Sequence, residues 1–177
     1  MEKVTIGIPS YNSGRNIKDC LSSVLNQTYP DIEIIVIDNG STDNTEDIVS
    51  SFRDPRVRFH KNPENIYCYG SYNVILNLAK ADIVAIYHSD DVYQPTIVEQ
   101  QVKFLQTHQN VMAVFTEANI INSKGEIIGE WKIPHPLKDT EILDFLQSLQ
   151  QLFEVWRFSC MSKWNVCKKG FFRGRFF

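Results

Sequence analysis

Ile83-Val84-Ala85-Ile86-Tyr87-His88-Ser89-Asp90-Asp91 is an unbroken apolar run that stops abruptly at a polar end carrying two adjacent carboxylates. The run is too short for a helix and rich in β-branched and aromatic residues. It therefore reads as a strand buried on both faces, as in a parallel sheet. Open α/β sheets place their ligands at the carboxyl ends of such strands, and that is where Asp90 and Asp91 fall. Neighbouring carboxylates repel unless a positive group sits beside them, so a hard divalent cation is one natural partner. A solvated Asp-Asp turn leading into a helix is the other reading of this stretch.

Working outward, the same pattern repeats. Val4 to Pro9 predicts a first strand, ended by a proline that cannot donate to a ladder. Ile17, Cys20, Leu21, Val24 and Leu25 recur at helical spacing and predict an amphipathic helix that stops before Tyr29-Pro30. Ile32 to Ile37 is a second continuous strand, ending at Asp38. Asn39-Gly40-Ser41 is a turn, and Thr42 or Asp43 can cap a helix bearing Ile48, Val49 and Phe52. Val57 to His60 predicts a short strand near a sheet edge, and Val74, Ile75, Leu78 and Ala79 predict the inward face of the next helix.

Beyond Asp91, Pro95 suits the first turn of a helix carrying Ile97, Val98, Gln101, Val102 and Leu105. Strands are predicted at 111–115 and 118–121, then a turn at Ser123-Lys124-Gly125 into 126–131. A last helix is predicted after Thr140. Alternating strands and helices give a mostly parallel central sheet with right-handed crossovers and helices on both faces. The expectation is a single α/β domain over 1–177, with 1–130 as its core and 131–177 as a further segment.

Composition agrees with an ordinary globular chain: 177 residues, 43% hydrophobic and 22% charged, with a net charge of -3 that argues against nucleic acid as a partner. After Glu154 the charge is all basic, from Arg157 to Arg175, and aromatic residues are interleaved with it. That tail suits either a membrane surface or a larger partner surface. Cys20, Cys68, Cys160 and Cys167 lack metal-ligand spacing, and Cys20 falls on an apolar helix face. With neither a signal peptide nor an apolar run of about 20 residues, a reducing, cytoplasmic location is expected.

Three strand ends carry polar residues suited to one ligand: Pro9-Ser10-Tyr11-Asn12, Asp38 to Asp43, and Asp90-Asp91. In a parallel sheet they share a rim. Tyr11 offers an aromatic plane and Asp38 an acceptor, which together suit a base carrying ring N–H groups. The carboxylate pair with a divalent ion suits a diphosphate. Each piece has a plainer reading, with Tyr11 as a loop aromatic and Asp38 as a helix cap. Their joint occurrence points to a nucleoside diphosphate with a metal.

Ile8-Pro9-Ser10-Tyr11-Asn12, Ile34 to Thr45, and Ser89-Asp90-Asp91-Val92-Tyr93-Gln94-Pro95 closely resemble family 2 glycosyltransferases of the GT-A fold. Their order, spacing and intervening helices match from Val4 to about Gly129. The resemblance implies an inverting glycosyltransferase that moves a sugar from a nucleotide-sugar donor, UDP-linked by the weight of the family. The acceptor would be a glycan or lipid-linked molecule of polysaccharide biosynthesis, and the cofactor Mn²⁺ or Mg²⁺. Such an enzyme is expected to be cytoplasmic, with peripheral association at the inner membrane face. The resemblance further implies that Pro9, Tyr11, Asn12, Asp38 and Asn65 hold the donor. Asp90 would face the ribose or the metal shell, and Asp91, with Asp90, would coordinate the metal in a DxD-like pair.

Three positions depart from the family pattern. Tyr72 stands where an arginine is common, just before Asn73, and His88 stands where an aspartate is frequent. The carboxylate expected as general base beyond the acceptor-side helix has no counterpart, since no acid follows Glu154. No base is named, and the chain reads as truncated before that segment. Two alternatives follow: a non-catalytic nucleotide-sugar-binding or partner-binding remnant, and an aspartyl phosphotransferase built on Asp38. The latter wants a second Asp where Gly40 sits.

Overall fold

A computed structural model of the chain describes residues 1–132 and 170–173. The helix expected after Thr140, Cys160, Cys167 and most of the basic tail lie outside the described residues. The elements in chain order are β1 (Val4–Ser10), α1 (Ile17–Leu25), β2 (Ile32–Asp38), α2 (Thr45–Ser51), β3 (Val57–Lys61) and α3 (Tyr67–Leu78). They continue as β4 (Ile83–Ile86), α4 (Ile97–Thr107), β5 (Ala113–Phe115), β6 (Ala118–Ile121), β7 (Ile127–Trp131) and β8 (Gly170–Arg173). They fall into two units divided after Val114, with β8 joining the first.

In the first unit the sheet order is β3-β2-β1-β4-β8-β5. β1 pairs in parallel with β2, Val4 opposite Ile32, and with β4, Val4 opposite Ile83. Alternate residues serve opposite faces. Val4, Ile6, Ile8, Ile34, Val36, Ile83 and Ala85 pack with α1 and α4 residues such as Leu21, Val24, Val98 and Leu105. Ile35, Ile37, Val84 and Ile86 pack on the other face against Ile75 of α3. Each fully buried isoleucine contributes roughly 1.5–3 kcal/mol relative to exposure, so the two-sided pattern holds the central strands firmly. Gly7 lets α3 close on β1, because a Cβ there would lie 2.3 Å from Cγ2 of Ile75.

The crossovers decide where a ligand can bind. The chain runs β1 to β2 to β3 outward in one direction, then returns through α3 on the opposite face to place β4 on the other side of β1. The order reverses between β1 and β4, and the carboxyl ends there form the crevice that open α/β sheets use.

Several boundaries differ from expectation for physical reasons. β1 continues past Pro9 to Ser10, with Pro9 opposite Ile37. The Gly7 carbonyl accepts from Tyr87 N–H at 2.9 Å, so residues 7 and 9 direct their polar backbone toward β4. Because the β1–β4 register ends at Gly7, the missing N–H of Pro9 costs no ladder bond. Pro95 precedes α4 instead of lying in its first turn, and its carbonyl accepts from Thr28 N–H at 2.8 Å. β8 was not expected at all; it lies antiparallel to β4, Ile83 opposite Arg173. The second unit contains the β6–β7 hairpin, antiparallel and turning at Gly125, which has φ of +79°.

Candidate active site

The β1 and β2 ends are laced together. Past Ser10 the chain turns through Asn12, which has φ of 48°, and its N–H donates to Oγ of Ser41 at 2.8 Å. Oδ1 of Asn12 accepts from Thr42 N–H at 2.9 Å. The Ser41 hydroxyl in turn donates to the carboxylate of Asp38, which also accepts the Ser41 N–H at 3.3 Å. Asp38 is fully buried, with Nζ of Lys61 4.0 Å from its Oδ2. Lys61 is bonded to Glu46 at 2.5 Å, and that bond, outweighing desolvation, raises the lysine's pKa, to which Asp38 adds.

Asn39 is the hub of the β2 side. Its N–H donates to the Ser10 carbonyl at 2.8 Å, and its Nδ2 to Oδ1 of Asn65 at 2.6 Å. Its Oδ1 accepts from Nδ2 of Asn62 at 3.1 Å and from Ile66 N–H at 3.0 Å. Asn65 Oδ1 also accepts from Tyr67 N–H at 2.8 Å. Gly40, at φ of +77°, runs so close to the backbone of residues 64 and 65 that a Cβ would meet the Glu64 carbonyl carbon at 3.1 Å. The Asn-Gly-Ser turn thus binds the 62–66 loop to the end of β2. Sequence reasoning treated Asn39 only as a turn residue. The available signal was its place directly after a buried strand, where an amide must find partners.

The β4 end is tied to the same rim by Ser13. Its N–H donates to Oγ1 of Thr45 at 2.9 Å, and its hydroxyl meets the Ser89 hydroxyl at 2.8 Å. The turn holding the carboxylates rests on a buried aromatic pair, Tyr87 and Tyr93, stacked 3.8 Å apart at 5°. The Tyr93 hydroxyl accepts from His88 N–H at 2.6 Å and lies 3.4 Å from Oδ2 of Asp91. Burial pushes both phenols well above their ordinary pKa, so they stay neutral, Tyr93 beside the Asp91 carboxylate. The His88 carbonyl accepts from the Cys20 thiol at 3.2 Å and from Asp91 N–H at 3.3 Å. Cys20 is thus the buried helix-face thiol expected of it, and His88 is a buried strand-end residue.

Each residue expected at the site can now be placed. Pro9 lies in β1 opposite Ile37, and Tyr11 is 50% exposed beside it. Asn12 and Asn65 are exposed and hydrogen-bonded into the rim. Asp38 sits beneath the turn, its carboxylate engaged by Ser41. Asp90 is exposed and Asp91 half-buried. Among the described residues no three His, Cys, Asp or Glu side chains form a group that could hold a metal ion; the carboxylates at this end are those of Asp90 and Asp91. That set fits Mg²⁺ or Mn²⁺, which commonly take one or two carboxylates and complete their shell with substrate phosphates and water.

A family model for glycosyl transferase family 2 matches residues 5–164. The chain belongs to that family.

Relatives of this family 2 chain include the Escherichia coli UDP-Glc:alpha-D-GlcNAc-diphosphoundecaprenol beta-1,3-glucosyltransferase WfaP. It is 38% identical over 109 residues, which are 62% of this chain and 43% of that protein. Among solved structures, S. aureus TarS in complex with UDP-GlcNAc matches with a TM-score of 0.56 and 27% identity, over 60% of this chain and 32% of that one. The mannosyltransferase PcManGT of Pyrobaculum calidifontis, in complex with GDP-Man and Mn2+, matches with a TM-score of 0.61 and 25% identity, over 70% of this chain and 36% of that one. The family 2 chain thus has the GT-A architecture, and spans less than half the length of each of these proteins. No helix among its described residues is long and apolar enough to cross a membrane.

Proposed function

We propose that this family 2 chain binds a nucleotide-diphosphate sugar across the β1/β4 crevice and takes part in transferring the sugar to a glycan or lipid-linked acceptor. The observation that carries the reading is the joining of three strand ends at one rim, with an exposed aromatic ring at one side and a carboxylate pair at the other. Tyr11 supplies a stacking face for the base. Asp38, buried and bonded to Ser41, reads a ring N–H by exchanging the Ser41 hydroxyl for it. Asn65 and Asn12 order the loops around the nucleoside. Asp91, with Asp90, holds the divalent cation. When bound, that ion supplies Lewis-acid stabilisation of the charge that develops on the departing diphosphate. A uridine base is favoured because the relatives named above for UDP-Glc and UDP-GlcNAc include the more identical of the three.

The test is thermal unfolding of the chain with UDP or GDP, each with and without Mn²⁺. At roughly a hundredfold excess over Kd, the midpoint should rise by about 5 °C or more, most with UDP and Mn²⁺ together. No rise with either nucleotide, with or without metal, would overturn the proposal. UDP release from UDP-Glc or UDP-GlcNAc then reports whether bond cleavage follows binding.

A further inference from the structure

Two non-glycine residues among those described have positive φ, Asn12 at 48° and Tyr67 at 61°. Asn12 is of a type that tolerates the left-handed region, and its side chain is bonded to Thr42. Tyrosine is not of that type. Its conformation is imposed from outside, because the N–H groups of Ile66 and Tyr67 are captured by Oδ1 of Asn39 and Oδ1 of Asn65. The ring gains nothing from burial, being 74% exposed. Between Met1 and Val114 the exposed aromatic side chains are Tyr11, Tyr67 and Tyr69, at 50%, 74% and 62%. Tyr11 follows Ser10 at the end of β1 and the Tyr67 backbone is bonded to Asn65 of the rim, whereas the tyrosines other than these and Tyr69 are at least partly buried in this stretch.

The strain locates Tyr67 as well as singling it out. Asn39 and Asn65 tie its backbone to the end of β2, and β2 lies across β1 from β4 and its carboxylate pair. A donor whose diphosphate is at Asp91 extends its nucleoside toward that side. We infer that Tyr67 is a nucleobase-contacting residue, forming with Tyr11 a two-sided aromatic slot. The inference rests on the nucleotide-sugar reading proposed above. Aromatic stacking suits this place because every base has a π-face, and hydrogen-bonding groups at the β2 turn remain to choose among bases.

The experiment is calorimetric titration of the 177-residue chain with UDP in Mn²⁺, beside its thermal midpoint, for wild type and three variants. Tyr67→Gly relieves the backbone, so its midpoint should hold or rise, while its Kd for UDP weakens about tenfold or more. Tyr67→Asn, which also accepts the left-handed backbone but has no ring, should weaken likewise, excluding a looser loop as the cause. Tyr67→Phe should keep the wild-type Kd. If the glycine and asparagine variants bind UDP within about twofold of a wild type that itself binds, Tyr67 is only a strained helix start and the inference falls alone. A wild type that binds neither UDP nor GDP overturns the inference together with the functional reading beneath it.

Discussion

At the end of β2, Asn39 spends its amide on Asn62, Asn65 and the Ile66 backbone, and Asp38 is buried beneath the turn it stabilises. At the end of β4, Asp90 is exposed and Asp91 half-buried, the latter 3.4 Å from the neutral hydroxyl of Tyr93. One corner is closed by hydrogen bonds among its own side chains; the other presents the adjacent residues Asp90 and Asp91, one exposed and one half-buried. A buried amide with full partners stabilises the fold that holds it, and Asn39 is only 5% exposed. The difference teaches that shape at the β2 corner is part of the fold, while the β4 corner presents its carboxylates at the surface.

The largest effect should come from breaking the satisfied corner. Asn39→Ala removes three side-chain hydrogen bonds and strands the amide of buried Asn62. The cost expected in urea unfolding is about 3 kcal/mol, with weakened nucleotide binding as the 62–66 loop loosens. A loss within about 0.5 kcal/mol, typical of a surface change, would mean that the turn holds without its hub.

Asp91→Ala sharpens the contrast from the other side. Stability without ligand should stay within about 0.5 kcal/mol of wild type, as for a substitution outside the packed core. The Mn²⁺-dependent part of the UDP thermal shift should vanish. An unchanged metal-dependent shift would remove Asp91 from the ion's ligands.

The smallest effect concerns acid. Asp43 accepts from the Thr45 hydroxyl at 2.5 Å and from the N–H groups of Gly14 and Thr45. The hydroxyl above all, against a desolvation cost, holds its carboxyl below the usual range. A depressed native pKa gives stability that is present above the ordinary carboxylate value and lost as pH falls through the native one. Asp43→Asn should therefore cost a modest amount of stability at neutral pH, and the difference from wild type should close in acid as the wild type loses the same contribution. An equally steep acid profile in the variant would show that Asp43 carries none of it.

The central fold was legible because its strands are written as unbroken β-branched runs, and Ile34 to Ile37 and Ile83 to Ile86 are indeed buried on both faces. Asp91 and Tyr11 were legible at the rim for the same reason, since a run that stops on a polar residue marks a strand end. β8 was not, because four residues reading Gly-Phe-Phe-Arg acquire their meaning only by pairing with β4. The end of β1 was misplaced because proline's lost donor matters only on a side that has a neighbour, and sidedness is a tertiary fact. Asn39 escaped notice since its partners come from residues 62 to 66, which no local pattern brings to the turn. Asp38 was expected at the strand end, where it lies, but its depth beneath Ser41 could not be read from strand polarity.

β1 also acts as a common ruler. The same Val4 sets the register of β2 through Ile32 and of β4 through Ile83. A slip of one residue on either side would turn a strand's core residues to the wrong face, so the smallest error that preserves burial is two residues, about 7 Å along the strand. The interval between the Tyr11 corner and the aspartate pair is therefore quantised, with steps too coarse for a flexible ligand to absorb. Variation can reshape the loops at either end without detuning the distance between them.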